Sequence, residues 1–224
     1  MTAQTIERPG LRLLHHPAWL QAAGFSTPAL FRDLVATTAW EQPHLWIHGR
    51  RHPVPRLVAW QADPGCAYRY SGHDHQPSPW CPVATQLRLA LEAHLATSLN
   101  SVLLNRYRDG GDRMGWHADD EAVLDPAAPV VSLSLGASRD LRVRPRPGDP
   151  TAAGQAPFNL ALADGDLLVM LPPSQQHWQH ALPQRRRCGG ERLNLTFRRL
   201  RRPQPASAAI ASISTRAPFG SAAT

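Results

Sequence analysis

The run NRYRDGGDRMGWHADDE, residues Asn105 to Glu121, gathers five acidic residues, three arginines and a histidine around a glycine-rich middle. Within it His117 and Asp119 stand two apart, and in an extended strand such residues point to one face, so both can reach one ion. An H-x-D pair alone arises often in polar loops, so a metal reading needs a third ligand. His177 and His180 in PPSQQHWQHALPQ, which directly follows the apolar run DLLVMLP, are the candidates. Two histidines and one carboxylate on a β scaffold make the facial triad of non-haem Fe(II) oxygenases, with positions left for a co-substrate and oxygen. The competing cluster is GHDH, where His73 and His75 share parity but Asp74 points away, as in a loop or a phosphate-facing feature. Surface decoration in a histidine-rich chain is the bland alternative for all of them.

RLNLTFR, read as a strand, puts Arg192, Asn194, Thr196 and Arg198 on one face and Leu193, Leu195 and Phe197 on the other. A solvated polar face is the ordinary explanation. Yet the two arginines lie roughly 20 Å apart at the α-carbons, and two long side chains leaning inward leave a gap that suits a small dicarboxylate. A guanidinium fork is the expected partner of a carboxylate.

These residues need a rigid scaffold, and the chain supplies the signals of one. STPALFRDLVATTAW predicts an early helix, with Ser26 or Thr27 as cap, Pro28 in the first turn and Leu30, Phe31, Leu34 and Val35 as one stripe. Glu41 to Trp80 breaks into short pieces rich in Pro, Gly, His and aromatics, which predict hairpins and loops rather than a buried layer. PVATQLRLALEAHLATSL predicts a second amphipathic helix, with Val83, Leu87, Ala90, Leu91, Leu95 and Leu99 packing against a sheet. The period then switches to two in SVLLNRYR, VVSLSLG, LRVRPR, DLLVMLP and RLNLTFRRL, short strands that imply an antiparallel sandwich or barrel. The small, nearly uncharged run from Pro203 onward reads as a disordered tail.

With 224 residues, one principal domain is expected. All 24 basic residues are arginine and the net charge is +7, a balance that suits a polyanion such as nucleic acid, although a genome-wide bias toward arginine would look the same. Cys66, Cys81 and Cys188 show no paired spacing, so neither a disulfide framework nor a cysteine zinc site is favoured and a reducing compartment fits. No segment reaches the ~20 apolar residues of a membrane span, and no leader pattern is visible. A soluble, cytoplasmic monomer is expected.

Trp46 to Arg199 resembles the AlkB-like Fe(II)/2-oxoglutarate-dependent dioxygenases that reverse nucleic-acid alkylation. NRY, DGGDRMGWHADDE, VSLSLGASRDLRVR, GDLLVMLPPSQQHWQHALP and RLNLTFR occur in the family's order. The resemblance implies an α+β fold with a double-stranded β-helix (jelly-roll) core, N-terminal helices and a nucleotide-recognition lid. Residues 1–90 would form the N-terminal helix and lid hairpins, 91–202 the core, and 203–224 the tail. It implies iron ligands His117, Asp119 and His180, with His177 a neighbour, and a co-substrate site of Asn105, Tyr107, Arg192, Asn194 and Arg198. Arg192 would pair with the distal carboxylate of 2-oxoglutarate, and Arg198 would steady Asp119.

For the substrate, the resemblance implies that Tyr70, with Tyr68 as fallback, stacks on a flipped base and that Glu121 reads its edge. In IHGRRHPVPR His48 stands where duplex-acting relatives carry an apolar wedge, which leaves single-strand or duplex preference open. Arg50, Arg51 and Arg56, with Arg139, Arg142 and Arg144, could contact phosphates, and a solvated basic face is an equal alternative for each. The implied reaction consumes O2 and 2-oxoglutarate, yields succinate, and removes N-methyl groups of the 1-methyladenine and 3-methylcytosine type as formaldehyde, in DNA and, as an open alternative, RNA. Two rival readings stand beside it: the same iron site acting on a protein or small molecule, and a catalytically silent nucleic-acid-binding module.

Overall fold

Residues 3–201 are described by the computed structural model, apart from 48, 67, 71, 72 and 76, and of 47, 68–70 and 73–75 it describes the backbone alone. The expected tail, His48 and the side chains of Tyr68 and Tyr70 therefore lie outside the described residues.

The chain opens with a hairpin of β1 (Gln4–Arg8) and β2 (Leu11–His16), where Leu11, Leu13 and His15 alternate inward. After the single turn α1 (Trp19–Ala22) comes α2 (Thr27–Thr37), with Ser26 at the N-cap position, proline in its first turn, and Leu30 and Leu34 buried. The hairpin β3 (His44–Ile47) and β4 (Arg50–Pro53) stands as its own two-stranded sheet, as does the pair β6 (Tyr68–Tyr70) and β7 (His73–His75). Between them β5 (Leu57–Ala62) enters the main sheet, unlike the loops expected there. Helix α3 (Pro82–Leu95) ends four residues before the predicted stripe does, because Ala96 turns left-handed (φ 49°) and Glu92 Oε1 captures the Leu99 N–H at 2.7 Å. Leu99 remains fully buried beyond the helix end.

Eight strands follow: β8 (Ser101–Tyr107), β9 (Met114–His117), β10 (Val130–Gly136), β11 (Arg139–Pro145), β12 (Phe158–Leu162), β13 (Leu167–Leu171), then, past the short turn α4 (Ser174–His177), β14 (Trp178–Leu182) and β15 (Arg192–Arg198). They form an antiparallel seven-stranded sheet in the order β1-β2-β13-β10-β15-β8-β5 and a four-stranded one in the order β12-β11-β14-β9. The two sheets face one another across a shared core that includes Leu13, Val130 and Leu168 from the first and Leu141, Val143 and Trp178 from the second. This is the expected jelly roll. The other face of the large sheet packs under α2 and α3 through Leu87, Leu91, Leu133, Leu193, Leu195 and Phe197.

That division fixes which way β15 faces. Burying each of Leu193, Leu195 and Phe197 stabilises the fold by about 1.5–3 kcal/mol, and a one-residue slip would turn all three away from the helices. The alternate residues Arg192, Asn194, Thr196 and Arg198 are thereby committed to the space between the sheets. The N-terminal hairpin was not legible as sheet in the sequence, yet β2 pairs with β13 and extends the large sheet by two strands.

Candidate metal centre and co-substrate pocket

β9 and β14 pair with His117 opposite His180, and again with Met114 opposite Leu182. Between these pairs β9 advances three residues while β14 advances two, so β9 carries a bulge at Gly115 and Trp116. A bulge re-aims side chains, and here it turns both Met114 and His117 into the cavity despite their opposite parity. The Gly115 carbonyl accepts from His117 Nδ1 at 2.9 Å. A carbonyl has no proton to give, so Nδ1 carries a proton, and in the neutral ring Nε2 is then the nitrogen that bears the lone pair.

Asp119 lies just past β9 and is held from two sides. Its backbone N–H donates to Gln175 Oε1 at 2.9 Å, and Arg198 donates to its Oδ1. Its Oδ2 is buried with no hydrogen-bond partner, 3.6 Å from His180 Nε2. One ligand atom from each of His117, Asp119 and His180 lies within 4.8 Å of the other two, and the imidazole centroids are 4.2 Å apart. A buried carboxylate oxygen without a proton donor, between two imidazoles, is a donor set that a divalent cation completes.

The electrostatics agree with that donor set. Burial pushes His180 down to about 3, with His117 adding to the effect and Asp119 opposing it, so its imidazole is neutral and its lone pair available. For Asp119 burial acts to raise the carboxyl, but Arg198, His180 and His117 outweigh it and hold it below the usual carboxylate range. His177 is not part of this group, since its Nδ1 meets Asp149 at 2.9 Å.

At the other end of the cavity Arg192 is 1 % exposed. Its guanidinium donates to the Leu162 and Ala137 carbonyls at 3.0 and 3.3 Å and to Ser134 Oγ at 2.7 Å, while Nε is buried without a partner. Among the described residues no carboxylate pairs with it, and burial draws it down to about 10 despite the opposing influence of Tyr107. A buried cation without an anion is costly, so this end of the cavity is made for a ligand carboxylate. Burial raises the Tyr107 hydroxyl, which therefore stays protonated as a donor. Asn194 is oriented by Ser132 Oγ at 2.7 Å and the Leu133 carbonyl at 3.0 Å.

Arg192, Asn194, Arg198, Asn105, Tyr107 and the three candidate ligands all line this one cavity. Glu121 is half-buried and lines a neighbouring cleft that shares Asp119, Met170 and Arg198 with the first. Arg50 is exposed on the β3–β4 hairpin. One expected phosphate contact is corrected. Arg139 is 2 % exposed, because its guanidinium is consumed by the carbonyls of Asp109, Asp112 and Pro183. Arg56 turns inward to Asn105 Oδ1 at 2.7 Å and so fixes that amide at the cavity wall. Sequence reasoning also missed Ser132, Ser134 and Gln175. The serines were visible as alternate residues of VVSLSLG, whereas nothing marked Gln175.

Residues 12–198 match the family described as the 2OG-Fe(II) oxygenase superfamily. The human protein named DNA oxidative demethylase ALKBH2 is 40% identical over 156 residues, which cover 69% of this chain and 60% of that protein. The mouse protein named alpha-ketoglutarate-dependent dioxygenase alkB homolog 3 is 37% identical over 175 residues, covering 75% and 60%. The chain thus spans about 60% of the length of these relatives. The crystal structure of a 2OG-Fe(II) oxygenase family oxidoreductase from Burkholderia pseudomallei shares the fold, with a TM-score of 0.54 at 19% identity over 83% of this chain and 84% of that one. With this match over most of its length and a His-Asp-His group that could hold a metal ion, the chain belongs to the 2OG-Fe(II) oxygenase superfamily, in its AlkB-like branch.

Proposed function

We propose that the protein is an Fe(II)/2-oxoglutarate-dependent dioxygenase that demethylates N-alkylated bases of the 1-methyladenine and 3-methylcytosine type in DNA. Activity on RNA and a monomeric state belong to the same proposal. The observation that carries it is one cavity with a two-histidine, one-carboxylate donor set at one end and, at the other, a buried guanidinium that no carboxylate pairs with among the described residues. The demethylase names of the similar proteins support the choice of substrate.

His117, Asp119 and His180 would hold the iron. When bound with 2-oxoglutarate and O2, it supplies the oxidation that yields succinate and carbon dioxide and turns the N-methyl group into a hydroxymethyl that leaves as formaldehyde. The chain's own residues do the positioning. Gly115 fixes the His117 tautomer, so that Nε2 faces the metal position. Arg198 occupies Asp119 Oδ1 and leaves Oδ2 for the metal. Arg192, already set by two carbonyls and a serine hydroxyl, receives the distal carboxylate of the co-substrate, with Tyr107 as a second donor. Glu121, in the adjoining cleft, is the candidate reader of the base edge, and Tyr70 the candidate stacking partner. Lesions on the Watson–Crick edge pair poorly, so extruding them costs less than extruding normal bases.

The test is formaldehyde release from oligonucleotides carrying 1-methyladenine or 3-methylcytosine, as single strand, duplex and RNA, against a panel of free methylated compounds. Turnover on the oligonucleotides is expected. Turnover confined to the free compounds would shift the reading to a small-molecule dioxygenase, and absence of succinate under every condition would leave a silent binding module.

A further inference from the structure

The sheet that presents His117 and His180 inward carries a different arrangement on its outer side. The bulge in β9 turns Trp116 outward, and the guanidiniums of Arg144 and Arg142 lie over its indole at 4.2 and 5.7 Å from the ring centroid. Arg144 is also tied through Nε and Nη2 to the neutral Gln179 Oε1, at 3.2 and 2.9 Å. Among the described residues no carboxylate pairs with Arg142 or Arg144, and the acid nearest in strand parity, Asp140, is occupied by Arg185 at 2.6 Å. Arg142 is exposed. Two guanidiniums share one aromatic plate with no counter-charge, where an ordinary solvated basic face would show alternating signs.

We propose that this outer face is a preformed phosphate-binding platform for the nucleic-acid strand flanking the target base. The proposal rests on the nucleic-acid reading above and extends it to a surface outside the cavity. Alternate residues of a strand stand about 7 Å apart, so Arg142 and Arg144 offer two forks along one line, suited to successive phosphates. The indole and Gln179 hold Arg144 in place before binding, which lowers the ordering cost of each contact. The position is favourable as well. Trp116 adjoins His117 on the edge strand of the sheet, so a strand crossing the plate runs beside the reactive centre. Such contacts carry no sequence information, and they set register.

The test is fluorescence anisotropy of a labelled single-stranded oligonucleotide bound to the full chain, measured over a salt series. The proteins compared are the unaltered chain, Arg142→Gln/Arg144→Gln, and the remote control Arg12→Gln/Arg32→Gln, which removes the same charge. Loss of two phosphate contacts should lower the magnitude of the log affinity against log salt slope by about 1.4 for a single strand, and weaken binding several-fold at low salt. The control should keep the slope of the unaltered protein. Tight binding by the unaltered chain with an unchanged slope in the Arg142/Arg144 variant, or an equal fall in the control, overturns the platform alone. No binding by the unaltered chain overturns the nucleic-acid reading and the platform with it. Thermal melts of both variants should match the unaltered protein, since these side chains lie at the surface.

Discussion

Lowering the pH from 7 to 5 should destabilise the metal-free protein through His180. Its folded value is about 3, against 6.5 for an ordinary histidine. Below 6.5 the unfolded chain takes up a proton that the folded site refuses, so the stabilisation present above 6.5 declines as the pH falls and is exhausted near 3. At pH 5 the unfolded histidine is about one and a half units below its pKa, and at ~1.4 kcal/mol per unit the loss is about 2 kcal/mol. Asp119, whose carboxyl is held low, acts with the same sign, but only below the ordinary carboxylate range. His16 is also lowered, by burial first and then by His94 and His15, so a single-residue control is required. The assay is urea unfolding of chelator-treated protein and of His180→Gln at pH 7, 6 and 5. The unaltered protein should lose about 2 kcal/mol more than the variant between pH 7 and 5. Parallel losses in the two proteins would refute the assignment of His180 as a buried neutral imidazole.

Three further outcomes follow from the same geometry. His117→Ala and Asp119→Ala should remain folded by circular dichroism yet bind neither Mn(II) nor Co(II) in calorimetry, and retained oxidation would reject the ligand assignment. Arg192→Lys keeps the charge but loses the fork; at roughly 1.5–3 kcal/mol for a charge-assisted bond, 2-oxoglutarate binding should weaken by about 10- to 150-fold, read by titration calorimetry. Gly110→Ala should cost about 1–3 kcal/mol in urea unfolding, because a Cβ at Gly110 would overlap the Arg185 carbonyl and press on that of Cys188.

The parts of the site legible in the sequence are those where a strand period and a chemical type coincide. RLNLTFR announced its two faces because apolar residues alternate strictly with arginines and amides, and the helices above the sheet leave those faces no freedom. The parts that were illegible depend on where a long side chain ends rather than where it begins. Arg139 looked like a surface cation in GASRDLRVR, yet its guanidinium reaches three carbonyls in the turn before β9 and near β14. Arg56 looked like a hairpin charge and is bound to Asn105, whose partner lies 49 residues away. The N-terminal hairpin escaped because its apolar alternation is only Leu11 and Leu13, the third inward residue being His15.

The end of β9 at His117 explains why His117 and Asp119 could not be judged from spacing alone. Two residues of equal parity share a face only while a strand stays regular, and β9 ends at His117, so Asp119 is placed by other means. Gln175 takes its N–H and Arg198 its Oδ1. The first comes from the turn before β14 and the second from β15, the strand that also bears Arg192. The carboxylate that completes the donor set is therefore aimed by the same strand that presents the co-substrate cation. A displacement of β15 would move both ends of the cavity together, and this gives the apolar residues Leu193, Leu195 and Phe197 a direct part in the alignment of the reaction.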